Sequence, residues 1–173
     1  MGRFVRRGIL ILLPLLLAAC WSLTWQEFLA PDSRFHVLMP GLPEMQVNQV
    51  PTGFGVLEQT VFMVDRGPQA YMVGYTTLDE AILGEYSPDA ILEDFAGRGT
   101  AGVGGEVLDY SVTEVDGYPG RAVRLSVADG DGVIDARFVL AGDRVYQVAA
   151  IVATKIVDEE VNARFLDSFK VLK

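Results

Sequence analysis

Past residue 33, apolar and polar positions along the chain keep two periods, 2 and 3.6, and these divide it into strands and helices. The segment 34–41 predicts a strand closed by a Pro40-Gly41 turn, followed by strands over 45–50, 55–64 and 70–78. Asp65-Arg66-Gly67-Pro68 is the hairpin loop between the last two. Ser87-Pro88-Asp89 then marks a helix start, with Ser as N-cap, Pro where its missing donor is harmless, and Asp at the positive end of the dipole. Ala90, Ile91, Leu92 and Phe95 give this helix an apolar face, Asp89 and Glu93 lie opposite, and Gly97 is the expected stop. A second helix over 158–168 opens on Asp158, Glu159 and Glu160 and carries Val161, Phe165, Leu166 and Phe169 as its stripe. Between the helices lie four strands, 106–115, 121–128, 133–140 and 144–153, joined as antiparallel hairpins. In the third, Asp135 and Arg137 alternate with Ile134, Ala136, Phe138 and Leu140, which predicts one wet face. The fourth is apolar on both faces, as a central strand covered on both sides must be. The fold class expected is α+β, an antiparallel sheet with helices packed on it.

The N-terminus follows a different pattern. Arg3, Arg6 and Arg7 precede an apolar run of twelve residues, 8–19, which ends at Cys20. Crossing a bilayer takes about 20 apolar residues, and this run also contains Pro14, so it fits a cleaved secretory signal. Leu17-Ala18-Ala19-Cys20 resembles the lipobox of bacterial lipoproteins, in which the cysteine sulfur receives a diacylglyceryl group and the signal is cut before it. That resemblance implies palmitate-type acylation of the new N-terminus and a membrane anchor carried by Cys20, the one cysteine of the chain. An exported protein with a single cysteine has no intramolecular disulfide partner, and lipidation accounts for the unpaired thiol. Two or three acyl chains on one residue hold a protein permanently. Arg6-Arg7 also loosely matches a twin-arginine signal, but no Ser or Thr precedes the pair, which favours the general secretion route. In lipoproteins of two-membrane bacteria an Asp after the cysteine resembles an inner-membrane retention signal; Trp21 stands there instead and favours the outer membrane. The expected divisions are a signal peptide over 1–19, a lipid-anchored tether over 20–33 that contains Trp25, Phe28 and Pro31 and packs on the domain, and one domain over 34–173.

Charge narrows the partners. Removing 1–19 takes away three arginines and no acids, leaving 11 basic against 23 acidic side chains, a net charge of −12. Such a surface repels phosphate backbones and anionic head groups, which argues against nucleic acid and makes the anchor covalent rather than electrostatic.

Several segments together resemble a known family: Trp25 through Pro43 with Arg34-Phe35 and Met39-Pro40-Gly41, the turn Gly117-Tyr118-Pro119-Gly120-Arg121, Arg144-Val145-Tyr146, and Arg164-Phe165-Leu166-Asp167-Ser168-Phe169-Lys170. In order and spacing they look like bacterial envelope proteins with a PsbP-like domain. The resemblance implies an α/β/α sandwich around an antiparallel sheet. Its namesake assists the assembly and stability of a photosynthetic complex, a role that a shared fold does not transfer.

Reactive constellations are sparse. Gly97, Gly99 and Gly102 spell the dinucleotide pattern G-x-G-x-x-G, but a helix precedes and a strand follows, the reverse of the order that binds a pyrophosphate. The stretch 97–105 therefore predicts a mobile glycine-rich loop. Asp129-Gly130-Asp131-Gly132 with Asp135 resembles a calcium loop, yet Val133 and Leu140 occupy two ligand positions, so a hairpin turn is expected. His36 is the only histidine and sits inside a strand, with no nucleophile beside it in sequence. The carboxylate pairs Asp79-Glu80, Glu93-Asp94 and Asp158-Glu159 fit solvated faces and helix starts, and Tyr71, Tyr75, Tyr110, Tyr118 and Tyr146 fit sheet packing. No catalytic residue, metal ligand or cofactor is expected. The expectation is a non-enzymatic, lipid-anchored domain of the cell envelope, facing away from the cytoplasm, which binds a protein partner as an accessory or assembly factor. The alternative is a small-molecule or cell-wall binding module, with a pocket between sheet and helix where Arg121, Arg124 or Arg137 converge. Detergent-phase partitioning and palmitate labelling are both expected of the chain and both expected to vanish in Cys20→Ser; their survival in that variant would refute the anchor.

Overall fold

The computed structural model describes residues 24–172. Its elements in chain order are β1 (Gln26–Leu29), β2 (Phe35–Met39), β3 (Glu44–Thr52), β4 (Gly55–Asp65), β5 (Gln69–Thr77), α1 (Glu80–Glu85), α2 (Pro88–Val103), β6 (Glu106–Val115), β7 (Tyr118–Val127), β8 (Gly132–Ala141), β9 (Arg144–Ala153), α3 (Glu159–Ser168) and β10 (Lys170–Val171). Seven strands form one antiparallel sheet in the order β3-β4-β5-β9-β8-β7-β6, and β1, β2 and β10 form a second of three strands. The signal segment and Cys20 lie outside the described residues.

The strand with two apolar faces, β9, is the middle of the seven. Tyr146, Val148, Ala150 and Val152 join one core, between the large sheet and a mixed layer of β1, β2, β10 and α3. Val145 and Ala149 join the other, under α1 and α2. Antiparallel sheet with helices packed on it is therefore the observed class. The expected third layer of helix is instead a small sheet plus one helix, because 34–41 pairs with the chain's own ends: β2 lies between β1 and β10. Phe35 is fully buried at the centre of that layer, with ring centroids of Phe62, Tyr146 and Phe169 at 6.0, 5.7 and 5.8 Å. Within the tether segment, Phe28 of β1 lies 5.0 Å from Phe62.

Local signals explain most boundaries. Ser87 accepts from the Ala90 N–H as the N-cap of α2, and Asp158 accepts from Glu160 and Val161 as the N-cap of α3. Asp116-Gly117, both at positive φ, make the two-residue turn between β6 and β7. The short helix α1, capped by Asp79, has too few turns to leave a periodic pattern and is absent from the sequence reading.

Two expectations are corrected. Gly97 does not end α2; the helix runs to Val103 and closes on Gly104 in the left-handed conformation, φ 65°. The stretch 97–105 is thus mostly helix, and its Gly-x-Gly-x-x-Gly N–H groups serve helical hydrogen bonds. Gly99 explains the extension: a Cβ there would meet the Phe138 ring at 2.8 Å, so only glycine lets this turn settle on the sheet. The polar face of β8 is only partly wet, since Asp135 accepts from Asn162 of α3 at 2.8 Å and Arg137 donates to Asp167 at 2.6 Å, which leaves both half-buried.

These glycines separate two effects. Gly97 faces open space, so Gly97→Ala is expected to stabilise by about 0.5–1 kcal/mol through helix propensity. Gly99→Ala is expected to destabilise by about 1–3 kcal/mol through overpacking against Phe138. Urea unfolding of both variants checks the opposite signs.

Candidate functional site

The three arginines singled out in the sequence do not converge. Arg121 lies on the α2 side of the sheet, while Arg124 and Arg137 lie under α3. Each is already paired: Arg124 chelates the Glu159 carboxylate at 2.8 and 2.5 Å and lies 3.6 Å from Asp135. No group of three metal-ligating side chains occurs among the described residues. His36 pairs across β2 with Leu29 and Lys170. Residues 128–130 form a single 3₁₀ turn that joins β7 to β8.

Arg121 builds a clasp that sequence spacing left open. It is 4% exposed, donates from Nε to Glu93 and from Nη2 to Asp89, both at 2.8 Å, and from Nη1 to the Gly120 carbonyl at 3.0 Å. Asp89 and Glu93 sit four apart on α2, so one guanidinium spans a helical turn and ties α2 to β7. Tyr110 of β6 donates to the other Glu93 oxygen at 2.7 Å. The Arg121 and Tyr110 hydrogen bonds hold the Glu93 carboxyl below the usual glutamate range. Burial, then the bond to Glu93, pushes the Tyr110 phenol up to about 12.

Among the described residues, three surfaces combine exposed apolar groups with polar ones. The first is a groove of about 520 Å³ between the glycine-rich half of α2 and the β3–β4 hairpin, with Val50, Pro51, Phe95 and Val103 on its walls. The hairpin tip holds it open: the Gly53 N–H donates to Asp94 at 2.9 Å, and Phe54 lies 4.7 Å from Tyr86. On its floor Gln59 donates to Gln147 at 3.1 Å, an approach across β5 that Gly74 leaves free of side chain. The second surface is the β6 edge, exposed for nearly its whole length, with Val107, Leu108 and Val112 outward and a register shift at Leu108. The third is a cleft of about 370 Å³ beside α3 and β5, with Trp25 and Tyr71 among its lining residues. No helix among the described residues is long and apolar enough to cross a membrane.

No protein-family model matches the chain, and no curated protein matches it. Its architecture is similar to the solution structure of the cyanobacterial PsbP protein CyanoP from Synechocystis sp. PCC 6803, with a TM-score of 0.58 at 11% identity. The match covers 89% of this chain and 96% of that one. The fold is PsbP-like, and at that identity the likeness extends to fold alone.

The clasp predicts a pH signature. Glu93 has a lowered pKa in the fold, so its contribution is present above the usual glutamate range and is lost as pH falls through the folded value. Tyr110 has a raised one, so its contribution is full below pH 10 and is lost as pH rises towards about 12. The stability gap between the chain and Glu93→Gln is expected to be widest near neutrality and to narrow at both extremes. Urea unfolding across pH checks this, and a gap independent of pH would refute it.

Proposed function

We propose that this chain is a non-enzymatic, lipid-anchored domain of the cell envelope that docks another protein as an accessory or assembly factor. The observation that supports the reading is the β6 edge. Ten residues there pair on one side only, and Val112 within it is 77% exposed. An uncovered strand edge offers a row of free N–H and C=O groups to an added strand. Glu106, Asp109 and Glu114 along it repel a second copy of the same edge and attract a basic one. The partner is therefore an extended segment in which Lys or Arg alternates with apolar residues. The opposite edge, β3, contains Pro51, which lacks the donor an added strand needs.

The anchor on Cys20 agrees with this reading, since only five residues separate it from Gln26 at the start of β1, a reach of about 20 Å when extended. Such a leash holds the domain at the membrane surface, where a membrane-bound partner is at high effective concentration. A photo-crosslinking amino acid at position 112, introduced into the anchored chain in its native membrane, is expected to give one recurrent protein adduct joined through a basic, extended segment. The same group at position 42, exposed on the far side of the sheet, is expected to give none of that adduct. Identical adducts from both positions, or none from 112, would overturn the docking reading. Loss of the adduct in Cys20→Ser would tie it to the anchor, and raised salt should weaken it.

A further inference from the structure

We propose that the cleft beside α3 binds a hexose-sized, neutral polyhydroxylated ring. The inference stands apart from the β6 docking reading, because the cleft lies on the opposite face of the large sheet from α2. Its volume, about 370 Å³, falls in the range of small-ligand sites.

The chemistry of the lining residues selects the class. Asn162 is 2% exposed, and its side-chain nitrogen donates to the Asp135 carboxylate at 2.8 Å. A carboxylate only accepts, so that bond fixes the amide's orientation and leaves Oδ1 buried with no donor. An unmet buried acceptor is expensive, and a ligand hydroxyl reaching it is the donor it lacks. Tyr71 spends its proton on Gln69 at 3.1 Å, which leaves the phenol oxygen as an acceptor and the Gln69 amide nitrogen as a donor. Asp158 uses one oxygen to cap α3, and its second oxygen makes no hydrogen bond among the described residues. Trp25 stands edge-on to Tyr71 with centroids 5.5 Å apart, and the Arg164 guanidinium lies 5.3 Å from the Trp25 ring.

The cleft lining thus combines acceptors at Asn162, Asp158 and Tyr71 with donors at Gln69 and Arg164 and the aromatic ring of Trp25. A hydroxyl group both donates and accepts, so a ring carrying several of them fits this mixture, and its C–H face suits the indole. Sulfate carries no donor for Asn162, and both sulfate and phosphate are repelled by Asp158. An ammonium group suits Asp158 and meets Arg164. The polyol has two sources, a free saccharide or the head group of a glycolipid, and they share the same ring chemistry.

The test uses the full chain in a polyoxyethylene detergent. Methyl β-glucopyranoside and methyl β-galactopyranoside are titrated to about 50 mM, a range suited to millimolar affinity, while Trp fluorescence and the Asn162 side-chain amide resonance are followed. One of the two is expected to give a saturable change at Asn162, weakened at least tenfold in Tyr71→Phe and in Gln69→Ala. Those two variants keep the core ring or sit at its margin, and their melting temperatures show that they remain folded. A second arm compares phosphatidylcholine vesicles with and without a monoglycosyl diacylglycerol: tighter response to the glycolipid than to the free pyranoside assigns the head group, and the reverse assigns the free sugar. No saturable change with either pyranoside or with the glycolipid, or a stronger response to inorganic phosphate or ammonium, would overturn the proposal.

Discussion

The fold depends on β9 being covered from both sides at once. A strand that sets Val145 and Ala149 against one layer and Tyr146, Val148, Ala150 and Val152 against another cannot stand at an edge or face water. It takes the centre of the seven, and two separate cores follow from that position. One core is closed by α2, whose glycine-rich turn lies on Phe138 because a larger residue than Gly99 would be held off. The other is closed by the smaller sheet, where Phe35 meets aromatic rings contributed by both ends of the chain. The three candidate surfaces, the groove beside α2, the cleft beside α3 and the outermost strand, lie where these two coverings stop.

Period-two alternation and hairpin turns placed most strands within a residue or two, and the caps at Ser87 and Asp158 placed both long helices at their starts. Alternation says which side chains share a face, and it is silent on which strand lies next to which. The 34–41 strand looks like its neighbours in sequence, yet its partners are β1 and β10, more than 130 residues apart along the chain. The end of α2 escapes local pattern for a related reason. Glycine's local preference for a helix stop was outweighed by a long-range contact with Phe138, and local pattern contains no trace of that contact. The site residues were harder still. Asp89 and Glu93 share a helix face, but nothing near them in sequence points to Arg121, and Asn162 looks like an ordinary polar position until its burial is known.

The arginines illustrate how an acidic protein uses scarce positive charge. Arg34, Arg98, Arg121, Arg124, Arg137 and Arg144 each face a carboxylate, and most of these pairs join elements far apart in sequence. Arg34 binds Asp143 and Arg144 binds Asp32, so two crossed pairs stitch the turn before β2 to the turn before β9. Isolated exposed pairs contribute little, whereas the buried Arg121 with two carboxylates fixes where α2 sits. With most cations used internally, the remaining surface is strongly acidic.

The small sheet has a consequence for the order of events in biosynthesis. Because β2 lies between β1 and β10, and the Leu172 N–H donates to the Arg34 carbonyl at 2.8 Å, the layer over Phe35 cannot close until nearly the last residue has emerged. A chain delivered N-terminus first carries Phe28, Phe35 and Phe62 uncovered while more than a hundred further residues are made or threaded. During that interval the growing chain presents sticky aromatic surface, which is the state a holding chaperone recognises.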